Sequence, residues 1–255
     1  MTTKHATKGR GGWTLVETLI TAAVIAILAA LAFPMMASFK KRANRERCLE
    51  KLRSLGIAFV SYTTDHNGEL PMEDAPGSHD WEAVIDPANA NVWYNALPEL
   101  MNAGSAASLV DHPERFYDDG YPLYLPGAPY PSGNKKLGVP YFAVAMNSRL
   151  QRKNNDGVKV PGTMSALQAP QRTVIFLERG MPKDKKSNPG QRGFDASPKA
   201  NARAFVARHN GKGLLVFADG HAQMYAVSDL INSAGQIKQP QTDVVWTPDP
   251  EDNPN

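Results

Sequence analysis

Residues 18–33 form a run of sixteen without a single charged side chain, and Glu17 stands directly before it. An α-helix of about twenty residues rises about 30 Å, the thickness of the hydrocarbon layer, so residues 13–38 read as a membrane-crossing helix. An ionised carboxylate at the centre of such a helix costs about 2.5–3.5 kcal/mol. Glu17 therefore sits at the membrane edge, is neutralised, or has a task. Pro34 removes a helix hydrogen bond near the far end of the span and is expected to bend or loosen the helix there. Lys4, Lys8 and Arg10 precede the run, while Lys40, Lys41, Arg42, Arg45 and Arg47 follow it, so charge asymmetry alone does not set the orientation. The same stretch also imitates a secretory signal: a basic start, an apolar stretch over residues 19–31 and a small-x-small site at Ala30-Leu31-Ala32. Cleavage after Ala32 would release a soluble domain. Against that reading, Glu17 abuts the apolar stretch and the helical pattern resumes immediately after Pro34.

The residues around Glu17 carry a second signal. A basic leader, then Gly11-Gly12-Trp13-Thr14-Leu15-Val16-Glu17, resembles the N-terminus of type IV prepilins and type II secretion pseudopilins, with Trp13 in place of the usual Phe. The resemblance implies that residues 1–12 are a leader, that a prepilin peptidase cuts between Gly12 and Trp13, and that the new N-terminus at Trp13 is methylated. It implies further that the leader is cytoplasmic, that the chain crosses the bacterial inner membrane once, and that a periplasmic head domain is drawn into a filament. Glu17 would then pair with the N-terminal amine of a neighbouring subunit. The implied partners are the peptidase, other pseudopilins or further copies of the chain, an inner-membrane assembly platform and the lipid bilayer.

Beyond the span, Phe39, Ala43, Cys48, Leu49, Leu52, Leu55, Phe59 and Tyr62 recur at spacings of three to five and predict an amphipathic continuation over residues 39–64. The helix is expected to run from about Trp13 to about Thr63 and to end in the turn-forming segment 65–71. Residues 65–246 are then a single head domain. Its first part, about 72–140, is a proline- and aromatic-rich insertion with a short helix near 93–102. Trp81, Trp93, Tyr94, Tyr117, Tyr121, Tyr124 and Tyr130 there either plug a loop-rich core or form a platform for a glycan or partner. The second part predicts strands over 141–146, 173–177, 204–208, 214–218 and 222–227, joined by turns into an antiparallel sheet. The fold class is α+β, pilin-like, with the long helix packed on the sheet. Residues 183–192 form a polar loop, and the acidic, proline-rich tail 247–255 is expected to be disordered.

His209, nine intervening residues and then Asp219-Gly220 resemble the H-x9-DG element near the C-terminus of many prepilin-type proteins. Mechanically it is two tight turns, Asn210-Gly211 and Asp219-Gly220, around one strand. The strand holds the turns about 20 Å apart, so a single metal ion would join Asp219 and His221 but not His209. The structural reading is favoured, in which Asp219 caps its own turn and His209 bonds a neighbouring loop. Asp65, Asn67 and Glu69 alternate oxygen ligands in a turn and are weak candidates for calcium; no other cofactor is called for.

Composition narrows the function further. The 28 basic residues, less the three of the leader, leave 25 against 25 acidic ones, which gives no case for nucleic-acid binding. Cys48 is the sole cysteine, which excludes an intrachain disulfide. No G-x-S-x-G, P-loop or H-E-x-x-H pattern is present, and His66, His79, His112, His209 and His221 are scattered, so an enzyme is not expected. The expectation is a pseudopilin-like structural subunit of a type II secretion or type IV pilus-like filament. The rival is a membrane-tethered exported binding domain that does not polymerise.

Overall fold

The three-to-five spacing is realised as one helix, α1 (Leu15–Asp65), of 51 residues. The structure, a computed structural model, describes residues 12–75, 80–133, 138–187, 191 and 193–255; the side chains of residues 32–35 and 37 lie outside that description. The chain divides into two compact units, residues 1–43 and 44–255.

In the first unit the described part is helix. Leu15, Val16, Leu19, Ile20, Val24, Ile25, Ile27, Leu28 and Leu31 are 50–82 % exposed, so apolar side chains are uncovered around the helix. The helix continues through Pro34 without a break in its assignment. Among the described residues no helix is long and apolar enough to cross a membrane.

In the second unit one face of α1 is core. Cys48, Leu52, Leu55, Phe59 and Tyr62 are buried, the three-and-four spacing that brings side chains onto one helical stripe. The stripe starts later than the sequence pattern suggests, because Phe39 is 63 % exposed and Cys48 is its first buried member. The helix ends where expected. Asn67 and Gly68 take left-handed backbone angles (φ 53° and 82°), and Gly68 N donates to Thr63 O at 2.7 Å, a reversal that satisfies carbonyls of the last turn.

The sheet has five strands in the order β5-β1-β4-β6-β7: β1 (Val144–Asn147), β4 (Val174–Glu178), β5 (Lys199–Ala200), β6 (Lys212–Phe217) and β7 (Ala222–Ala226). A separate two-stranded ribbon joins β2 (Arg152–Lys153) and β3 (Lys159–Val160). The expected all-antiparallel sheet is instead mixed, because β5 pairs parallel to β1. After β4 the chain leaves the sheet, and Arg179 donates to Ser197 O and to Lys199 O, bringing the returning segment alongside β1 rather than beside β4. The strand expected over 204–208 does not form. A 3-10 turn (Ala202–Ala204) occupies its start, and only a single bridge, Phe205 to Arg179, follows.

The sheet is buried on both sides, which is why its strands read as continuous apolar runs. Leu214 and Val216 of β6 join the α1 core with Phe59, Phe142 and Phe176, while Leu215 and Phe217 face a second cluster with Leu230, Ile237 and Trp246. That second layer comes from α4 (Val227–Leu230) and the C-terminal segment. The tail expected to be disordered is thus held in place. Asn255 accepts from Ile237 N at 2.7 Å, Gln168 Nε2 donates to Asp249 at 2.7 Å, and Asn147 Nδ2 donates to Trp246 O at 2.9 Å. Polar side chains fix the tail, so its low apolar content is not decisive.

The insertion folds over α1 with two short helices, α2 (Trp81–Ile85) and α3 (Trp93–Leu100). Its aromatics take the core role: Trp93, Tyr94 and Tyr121 are buried, and Trp81, Tyr117, Tyr124 and Tyr130 are partly so. Lys51 of α1 staples the insertion down by donating to Asp119 O (2.6 Å) and Tyr121 O (2.7 Å), backed by an Arg47–Asp119 ion pair.

Candidate functional site

Two places hold the residues singled out by the sequence, and each lies within one unit. The first is the start of α1. Thr14 Oγ1 accepts from Glu17 N at 3.2 Å, and Glu17 Oε2 in return accepts from Thr14 N at 2.8 Å and Thr14 Oγ1 at 2.9 Å. This is a reciprocal capping box, which satisfies two of the donors a helix leaves free at its N-terminus. Glu17 therefore has a role within its own chain. The signal was present in the sequence as Thr-x-x-Glu before an apolar run, and it explains in part why a carboxylate occupies this position. Trp13 is 74 % exposed, and among the described residues nothing lies within 4 Å of a Cβ built on Gly12. Residues 1–11, the rest of the expected leader, lie outside the described residues.

The second place is the H-x9-DG element, whose two ends do different jobs. At one end, Asn210 and Gly211 take φ of 57° and 81°, the pair of left-handed residues that a two-residue hairpin needs. The hairpin closes with His209 N donating to Lys212 O (2.8 Å) and Lys212 N to His209 O (3.1 Å). It aims two side chains inward. His209 Nε2 lies 3.1 Å from Glu178 Oε2, and Arg208 reaches Glu178 Oε1 at 3.0 Å and Asp184 Oδ2 at 2.5 Å. Glu178 Oε2 also accepts from Leu214 N at 3.2 Å. Burial alone would raise the Glu178 carboxyl, but His209 and Arg208 outweigh it and hold it below the usual glutamate range. Arg208 is in turn held above its usual value by Glu178 and Asp184, against burial.

At the other end of β6, Asp219 Oδ1 accepts from His221 N at 3.1 Å and lies 2.6 Å from His221 Nδ1, while the His221 ring stacks on Phe217 with centroids 4.4 Å apart. Gly220, at φ 89°, turns the chain against α1. A Cβ on Gly56 would stand 2.4 Å from Gly220 O and 2.9 Å from Val216 Cγ1. Backbone meets backbone here, so Gly56→Ala forces helix and hairpin apart. The expected cost is about 1–3 kcal/mol, read as a lowered urea midpoint for the full chain in detergent. An unchanged midpoint would show that the contact is loose. The element is thus a strap: His209 lies against Glu178 at the end of β4, and Gly220 packs on α1.

The remaining candidates do not assemble. Asp219 and His221 meet each other, and His209 stands at the opposite end of β6 with Glu178. His66 stacks on Tyr62, His112 lies 3.3 Å from Glu114 in an ion-pair arrangement, and His79 lies outside the described residues, as does part of the loop 183–192. Asp65, Asn67 and Glu69 line the exposed turn after α1. Among the described residues no group of three or more His, Cys, Asp or Glu side chains is placed to hold a metal ion. Cys48 donates to Pro126 O at 3.4 Å, and burial pushes its thiol up to about 12, which keeps it protonated and unreactive. The pairings of Glu178 with Arg208 and of Gly56 with Gly220 were not anticipated, since no periodicity names a partner far along the chain.

Compared with known protein families, curated proteins and solved structures, the chain matches none.

Proposed function

We propose that this chain is a pseudopilin-like structural subunit, processed by a prepilin peptidase between Gly12 and Trp13, anchored in a bacterial inner membrane by the first half of α1, and assembled into a type II secretion or type IV pilus-like filament. The observation that carries the reading is the apolar helical half opening at the Thr14–Glu17 box. Its side chains are exposed on all sides, and such a helix needs lipid or other helices around it. The second half of the same helix is one wall of an α+β head, which fits a head domain carried on its own anchor. Assembly is the chemistry of this function. Its residues are Trp13, whose amine is freed by cleavage, and Glu17, whose carboxylate meets the amine of a neighbouring subunit.

The rival reading, a tethered binding domain that does not polymerise, drew on the aromatic insertion as a platform. Of those rings Trp93, Tyr94 and Tyr121 are buried in the core, which leaves only the partly buried Trp81, Tyr117, Tyr124 and Tyr130 to such a platform.

Intact mass and N-terminal sequencing of the protein from membranes of a host with a prepilin peptidase test the proposal. The expected chain begins at a methylated Trp13. A chain beginning at Phe33 overturns the reading in favour of ordinary secretion.

A further inference from the structure

On the sheet face turned away from α1, a cleft of about 300 Å³ opens between β7, α4 and the segment 237–246. Leu230, Ile237 and Trp246, all nearly inaccessible, make an apolar floor, and Tyr225 forms a wall. Asp229 and Asp243 stand exposed at the rim with a single Lys238 against them. Both carboxylates bear on the Tyr225 phenol, which burial first and then Asp243 and Asp229 push up. The cleft is preformed: Gln241 Oε1 accepts from Trp246 N at 2.7 Å, Gln241 Nε2 donates to Thr247 Oγ1 at 2.6 Å, and Arg172 donates to Thr242 O. Beside it runs the edge of the sheet. Among the described residues β7 pairs with β6 alone, which leaves one side of the strand without a ladder partner, although Ala226 N at its end already donates to Asp229 Oδ2 at 2.8 Å.

An apolar floor, an aromatic wall and net negative rim charge match a long aliphatic stem ending in a cation, held by the ring face and the carboxylates. A glycan is a poorer match, since it needs a broad exposed ring and Trp246 is only 1 % exposed. We propose that this cleft is a docking site for an extended segment of a partner protein, which pairs with the free edge of β7 and sets an Arg or Lys side chain between Tyr225 and Asp243. The site lies wholly in the second unit and does not depend on the first half of α1.

The probe is acetyl-Thr-Val-Arg-Val-Thr-amide, titrated into the labelled full chain in detergent and followed by NMR at the Trp246 indole. Saturable shifts are expected, and the same peptide with citrulline for arginine should bind about tenfold more weakly, because it keeps the shape and loses the charge. Asp243→Asn, an exposed change that leaves the melting temperature in place, should weaken the arginine peptide by a similar factor. Alternate N-methylation of the peptide should abolish binding by blocking the strand pairing. Equal affinity for the two peptides, indifference to Asp243→Asn, or no shift up to about 5 mM peptide, a bound set by the weakness of single-anchor contacts, each overturns the cation site. Undiminished binding of the N-methylated peptide overturns the strand pairing. None of these outcomes changes the N-terminal sequencing result, so failure here is separable from failure of the filament reading.

Discussion

Glu17→Ala is expected to leave cleavage at Gly12 largely intact and to stop incorporation into filaments. Two effects operate in that variant. The helix start loses half of its capping box, and the proposed pair between the Glu17 carboxylate and a neighbour's amine loses its anion. Only the second acts between copies, so it is the one expected to stop incorporation. Glu17→Gln separates them, because a glutamine still accepts from Thr14 N and restores the box without the charge. Both variants are therefore expected to fail in filament cross-linking, with processing read by mass in parallel. If Glu17→Gln assembles normally while Glu17→Ala does not, capping is the whole of the residue's task and the intersubunit pair is refuted.

The second large effect concerns the strap. Glu178→Leu leaves Arg208 and His209 buried beside an apolar group, with only Asp184 to compensate the guanidinium. The expected loss is about 3–5 kcal/mol of head stability, measured by urea unfolding of the full chain in detergent. His209→Asn is milder, at about 1–2 kcal/mol, because Arg208 still holds Glu178. The pH dependence has a definite sign. The Glu178 carboxyl is depressed in the folded state, so its contribution is fully present above the ordinary glutamate value of 4.5 and drains away as pH falls from there through its lower folded value. Glu178→Gln should flatten the stability curve in that acid window and change nothing in its shape above it. A variant as steep as the parent below pH 4.5 would move the acid sensitivity to another group.

Local patterns reveal elements more readily than partners. Cys48, Leu52, Leu55, Phe59 and Tyr62 announce a helix face by their spacing, and Asn210-Gly211 announces its turn by the backbone angles it tolerates. Each is a property of a few neighbouring residues, and each is present in the structure. Gly220 also shows why a motif residue is needed, since it takes φ 89° and a Cβ there would stand 3.2 Å from Val60 Cγ2. What the sequence pattern does not carry is the identity of a distant mate. Glu178 closes an apolar strand run and gives no hint that Arg208 and His209 converge on it. The parallel strand β5 is two residues long, too short for any period to register, and its placement depends on Arg179 gripping the loop before it. The tail misled for a related reason: composition counts apolar area, whereas Asn147, Gln168 and Asn255 hold that segment through hydrogen bonds.

The sealed thiol of Cys48 has a practical consequence. Because the side chain is inaccessible and burial pushes its thiol up to about 12, reagents that attack thiolates will pass over it in the folded chain near neutral pH. A single cysteine introduced anywhere along the uncovered half of α1 would then be the one reactive sulfur in the molecule. Disulfide ladders, spin labels or fluorophores placed there report neighbours without first deleting the native residue, so the proposed packing of copies can be tested position by position in an otherwise unaltered chain.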